Sequence, residues 1–156
     1  MHSYMHNHNH CIHTALNTAE RLCRERGVRL TPLRRKVLEL IWADHRAVKA
    51  YDLLELLGEI HHNAKPATVY RALDFLAEQG LIHRVESLNA FIGCNCCESP
   101  HDSLLLICRR CGDVKERPAP GVMAALAAEA TRTGFLLEHM AVEVIGTCAH
   151  CAKRRG

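Results

Sequence analysis

The stretch AKPATVYRALDFLAEQGLIHRVES, Ala64 to Ser87, decides the fold. Pro66 suits the first position of a helix, where its missing N–H goes unused. Val69, Ala72, Leu73 and Leu76 then recur at helical spacing, and Gly80 ends the helix. From Leu81 to Gly93 apolar and polar residues alternate around Ser87, Leu88 and Asn89, which predicts a β-hairpin. Upstream, Tyr51 to His61 forms a helix expected to bury Leu53, Leu54, Leu56, Leu57 and Ile60. Two short helices joined by a polar link and followed by a hairpin describe a winged helix-turn-helix.

Further upstream, Thr31 caps and Pro32 opens a helix whose Leu33, Val37, Leu40 and Ile41 share a stripe. Arg34, Arg35 and Lys36 lie opposite, as a solvated face or as contacts to phosphates. Thr14 to Arg26 reads as a helix with Leu16, Ala19, Leu22 and Cys23 inward and Gly27 as its stop. Residues 1–13 hold His2, His6, His8, His10 and His13 among polar neighbours, and are expected to be a disordered tail, idle or loosely metal-scavenging.

Downstream, Cys94-Asn-Cys96-Cys97-Glu-Ser-Pro-His101 is a polar connector, so residues 14–93 form the first domain, 94–102 a hinge and 103–156 the second. The second is read as a strand Ser103 to Cys108, a turn, a strand to Arg117, a helix Gly121 to Thr133 and a strand Phe135 to Gly146. The fold class is therefore α+β: a winged helix-turn-helix followed by a small α/β domain. That domain is too small to bury a large core unaided. Cys108-Arg-Arg-Cys111 and Cys148-Ala-His-Cys151 are two CxxC knuckles, and two such pairs supply the tetrahedral thiolate set of a structural zinc ion. Redox CxxC pairs and buried thiols are the competing readings. Four protein ligands leave no open position for a substrate water, so the site is structural and not catalytic.

Composition narrows the class. Of 156 residues 48% are hydrophobic, enough for a folded chain, and the net charge of +3 permits a polyanionic partner without demanding one. No apolar run is long enough to span a bilayer. Nine cysteines without a signal-peptide core favour a reducing cytoplasm, where paired cysteines bind metal more often than each other. The zinc-enzyme motifs HExxH and HxE with PCxxC are missing, so neither an enzyme nor a small-molecule substrate is expected.

RLTPLR (Arg29 to Arg34), AYDLLELL (Ala50 to Leu57), the opening stretch and CRRCGDVKE (Cys108 to Glu116) resemble the ferric uptake regulator superfamily, most closely its zinc uptake regulator branch. The resemblance runs from about Thr14 to Cys151 in unbroken order. It implies a homodimeric repressor that binds double-stranded operator DNA when zinc-loaded and silences zinc-import genes, with two zinc ions per subunit. The helix with Tyr70 and Arg71 would enter the major groove, and the implied DNA contacts are Tyr51, Thr68, Tyr70 and Arg71. Helical geometry agrees for Arg71, which lies off the apolar stripe near the N-terminal half of its helix. For Tyr51, packing beside the helix start competes with DNA contact.

The resemblance further implies a second, regulatory zinc ion held by His83, Cys94, His101 and Glu116. Two imidazoles, a thiolate and a carboxylate suit zinc, although each residue alone reads equally as structural. Such an ion would fix the hinge and match two recognition helices to major grooves about 34 Å apart. Two departures from the family pattern stand out. Only His101 remains of the histidine run that precedes the first CxxC in iron-type relatives, which favours zinc over iron. Cys96 and Cys97 crowd Cys94, and either can replace it as ligand or oxidise. His139 stays outside the ligand set. The competing functions are a regulator responding to iron, nickel or peroxide, and a thiol redox switch.

Overall fold

The computed structural model describes residues 8–44, 46–62, 64–98 and 101–154. The chain divides into two compact units, Met1–Glu98 and Ser99–Gly156, and the break falls within the segment expected as a hinge.

The first unit opens on α1 (His8–Glu25), six residues earlier than the expected helix start. Histidine and asparagine are poor helix formers, but Ile12 extends the stripe of Leu16, Ala19, Leu22 and Cys23 by one turn and packs on the core. Packing of that turn overrides local propensity, so the disordered tail expected through His13 is corrected for His8–His13. His2 and His6 lie outside the described residues. In α2 (Pro32–Trp42) the Thr31 hydroxyl accepts the Arg34 N–H at 3.3 Å, the N-cap that the sequence suggested. Val37, Leu38 and Ile41 are fully buried, while Leu33 and Leu40 are only partly so. The basic residues opposite are tied down within the protein. Arg34 lies 3.7 Å from the Phe75 ring centroid and donates to the Arg29 carbonyl, Arg35 pairs with Glu20, and Lys36 with Glu39.

A two-residue strand β1 (Val48–Lys49) precedes α3 (Ala50–Ile60). Of the five residues expected inside α3, Leu53 and Leu57 are buried and Leu54 is partly so, whereas Leu56 and Ile60 are 40% and 48% exposed. One helix face cannot hold all five at 100° per residue, and Ala50, Leu53 and Leu57 form the stripe that faces the core. Helix α4 (Pro66–Glu78) buries Val69, Ala72, Leu73 and Leu76, the four residues expected. Strand β2 (Ile82–Val85) then turns through a short 3-10 segment, Glu86–Leu88, and Asn89 with φ of 46°, into β3 (Ala90–Gly93). Asparagine tolerates that left-handed backbone better than most side chains. The wing sheet has the order β1-β3-β2, all antiparallel, with Val48 opposite Phe91 and His83 opposite Ile92. At its end Gly93 lies flat on the indole of Trp42, where an added Cβ would fall 2.2 Å from a ring carbon.

The second unit is a three-stranded sheet, order β5-β4-β6, with one long helix. Strands β4 (Ser103–Cys108) and β5 (Val114–Arg117) form an antiparallel hairpin. Helix α5 (Pro120–Arg132) carries the chain across to β6 (Ala141–Gly146), which runs parallel to β4. The strand expected from Phe135 therefore starts only at Ala141: Phe135 and Leu136 are 65% and 89% exposed, apolar but unpaired with any strand. A short helix α6 (Ala149–Lys153) closes the unit. No described helix is long and apolar enough to cross a membrane.

Candidate metal centres and nucleic-acid interface

The four CxxC sulfurs come together because β4 and β6 are parallel neighbours. Their register sets Cys108 beside Gly146, and the Arg109 N–H extends the ladder by bonding the Gly146 carbonyl at 2.9 Å. Both knuckles therefore emerge from one end of the sheet. The first turns back sharply: Gly112 has φ of 74°, a left-handed backbone that glycine adopts without strain, and its N–H bonds the Cys108 carbonyl at 2.9 Å. The second folds into α6 with Cys148 as its N-cap, the sulfur accepting the Cys151 N–H at 3.5 Å. The Cys148 N–H in turn donates to the Cys108 sulfur at 3.3 Å, and Arg110 clamps the Cys151 carbonyl at 2.8 Å.

All four sulfurs lie within 4.8 Å of one another, and Cys111 Sγ is 3.8 Å from Cys148 Sγ. A tetrahedral zinc site with Zn–S of about 2.3 Å has S···S edges of about 3.8 Å, far longer than a disulfide bond. The residues therefore fit a thiolate-bound zinc ion. The thiols are electrostatically uneven. Backbone N–H groups of Cys148 and Cys111 lower Cys108 to about 6, and desolvation raises Cys151. A divalent cation held by these four sulfurs would supply the positive charge that favours their thiolate forms.

The other four expected ligands fall into two pairs, one in each unit. In the first unit, His83 on β2 faces Ile92, and Cys94 lies two residues beyond Ile92 on the same face of the hairpin. Their ligand atoms are within 4.8 Å, with His83 half-buried and Cys94 buried. The Cys94 N–H bonds the Leu81 carbonyl at 3.0 Å, which prolongs the hairpin to the ligand itself. In the second unit, Glu116 on β5 pairs in register with Leu105, and His101 and Ser103 share the parity of Leu105. His101 Nε2 stands 2.6 Å from Glu116 Oε1, and the Ser103 hydroxyl donates to the same oxygen at 3.4 Å. Ser103 is the one part of this arrangement that sequence reading missed. Its signal was a polar residue at an inward position of an otherwise apolar strand.

The expected DNA contacts lie on the helix-turn-helix. Thr68 and Arg71 are exposed and one turn apart on α4, Tyr70 is 46% exposed, and Tyr51 at the start of α3 is 68% exposed. The ring of Tyr51 is therefore not packed away, the alternative weighed for it.

A winged helix-turn-helix followed by an α/β unit with a four-thiolate cluster defines a metal-binding transcription regulator. The chain belongs to the Ferric uptake regulator family, whose profile matches residues 25–145. It is 49% identical over 139 residues to the zinc uptake regulation protein of Escherichia coli strain K12, covering 88% of this chain and 81% of that protein. Among solved structures, a zinc uptake regulator complexed with zinc and DNA matches at 47% identity with a TM-score of 0.88, covering 92% of this chain and 96% of the other. The crystal structure of holo XcZur matches at 42% identity with a TM-score of 0.83, covering 90% and 98%.

Proposed function

We propose that this chain is a zinc-responsive transcriptional repressor that binds operator DNA as a homodimer when zinc-loaded and represses zinc-uptake genes. The observation that carries the reading is its likeness, across nearly its whole length, to a regulator solved with both zinc and DNA. Two zinc ions per subunit are proposed. Cys108, Cys111, Cys148 and Cys151 hold the structural ion, and His83 and Cys94 of the first unit share the regulatory ion with His101 and Glu116 of the second. Each of those pairs is assembled within its own unit, and two donors leave a tetrahedral ion half-coordinated. Bound there, zinc supplies two positive charges and four directed bonds.

The chain's own residues do the rest. His83 and Cys94 present their donors from the wing, so whatever orders them bears on the unit that holds α4. His101 presents its imidazole from the start of the second unit beside Glu116, whose carboxylate accepts the Ser103 hydroxyl. Arg71 and Thr68 reach base edges and Tyr51 and Tyr70 border the groove, roles for which their exposure is suited. The homodimer is supported by the apolar surface that the small unit leaves exposed. Leu106 and Val144 lie on its sheet, Val122 and Leu126 on α5, with Phe135 and Leu136 beyond. A cytoplasmic location follows from the proposed work on chromosomal DNA. Fluorescence anisotropy on a duplex from a zinc-import promoter, with free zinc buffered by a chelator, tests the reading. Binding should appear with zinc and vanish with chelator, and binding indifferent to both would refute it.

A further inference from the structure

Cys94, Cys96 and Cys97 crowd into four residues at the end of β3, and only Cys94 has a place in the proposed zinc sites. Their surroundings differ. Cys94 is 3% exposed, and its sulfur accepts the Cys96 backbone N–H at 3.4 Å. Cys97 is half-buried against the core of the first unit, and its carbonyl is held by Arg26 Nη2 at 3.3 Å. Cys96 alone of the three is exposed. The loop thus turns the Cys96 backbone back to the Cys94 sulfur. Two residues span at most about 7 Å when extended, and this fold-back brings the pair toward the roughly 4.4–6.8 Å Cα separation of a disulfide.

We propose that Cys96 is an oxidation site for hydroperoxides, and that its oxidation removes Cys94 from the zinc quartet by closing a Cys94–Cys96 disulfide. The inference rests on the assignment of Cys94 to the regulatory ion. In the first step the Cys96 sulfur attacks a peroxide oxygen. The O–O bond breaks, an S–O bond forms, and the thiol proton leaves with the departing oxygen as water or alcohol. Sulfur loses two electrons and the peroxide gains them, giving a sulfenic acid. In the second step the Cys94 sulfur attacks Cys96. The S–S bond forms, the S–O bond breaks, and the hydroxyl group departs as water with the Cys94 thiol proton or, when Cys94 starts as a zinc-held thiolate, with a proton from solvent as the sulfur leaves the ion. A thiol reductant reverses the product. A sulfur locked in a disulfide cannot ligate, so zinc and peroxide compete for Cys94, and peroxide relieves repression even when zinc is available.

The test uses full-length zinc-loaded protein and its Cys96→Ser and Cys97→Ser variants, treated with hydrogen peroxide. The readouts are the free zinc needed for half-maximal operator binding and a disulfide map by mass spectrometry. Wild type and Cys97→Ser should acquire a Cys94–Cys96 disulfide and need at least about tenfold more free zinc, restored by dithiothreitol. Cys96→Ser should match untreated wild type in zinc response and ignore peroxide. A Cys96→Ser protein as peroxide-sensitive as wild type, or a wild-type disulfide mapped to Cys97, overturns the proposal. Untreated wild type whose operator binding ignores zinc would instead overturn the functional reading, and the disulfide map would still decide whether Cys94 and Cys96 join.

Discussion

Arg34 and Arg71 sit on amphipathic helices of the same unit in opposite circumstances. Arg34 is spent inside the protein, stacked on Phe75 and bonded to the Arg29 carbonyl, whereas Arg71 is exposed on α4. Arg71→Ala should therefore lose about 1 to 3 kcal/mol of preference for operator over random duplex, read by competition anisotropy. Arg34→Ala should leave that preference intact and lower the unfolding free energy by about 0.5 to 1 kcal/mol, its cation–π share. Cysteine chemistry separates by environment in the same way. Burial raises the thiols of Cys23 and Cys97, so both hold their protons at mildly alkaline pH, and iodoacetamide should label exposed Cys96 well before either. Labelling of Cys97 before Cys96, in a timed mass-spectrometric series, would show that the loop is open. The thiolate cluster was legible because each CxxC brings two donors together by local spacing. His83, Cys94, His101 and Glu116 were not, since their pairing depends on strand register, and only resemblance to a family singled them out.

Helix α4 was readable in full because a proline start, a glycine stop and a clean stripe of Val69, Ala72, Leu73 and Leu76 all agree. Other elements hid for physical reasons. Strand β1 has two residues, too few for alternation to register, and exists because β3 offers it an edge. The start of α1 is held by Ile12, which packs against the core of the first unit. Phe135 and Leu136 look like strand residues, but they lie outside any sheet, on the surface that the homodimer is proposed to bury. Gly93 was invisible as a packing residue until Trp42 was found against it. Gly93→Ala should destabilise the first unit by about 1 to 3 kcal/mol, since a rigid indole cannot yield the space, and thermal unfolding followed by Trp42 fluorescence would measure it. In the second unit, Cys108→Ser removes a donor from the end of β4. Loss of circular dichroism from this unit and of the structural zinc should accompany it, while the winged helix stays folded. A fully folded second unit in that variant would contradict a structural role for the cluster.

At the scale of the whole molecule the two metal centres have separable duties. In the proposed reading the four-cysteine cluster builds the second unit, while His83, Cys94, His101 and Glu116 couple zinc to DNA. His101→Ala should therefore leave a folded dimer with one zinc ion per subunit and abolish zinc-dependent operator binding, as metal analysis, light scattering and anisotropy would report together. Coupling between two ligands is reciprocal: if zinc tightens operator binding by some factor, operator tightens zinc binding by the same factor. Regulatory-site zinc affinity, measured by chelator competition with and without saturating operator DNA, tests this most directly. The account predicts tighter zinc binding in the presence of operator, by the factor that zinc adds to DNA affinity. Identical zinc affinity in the two conditions would contradict it.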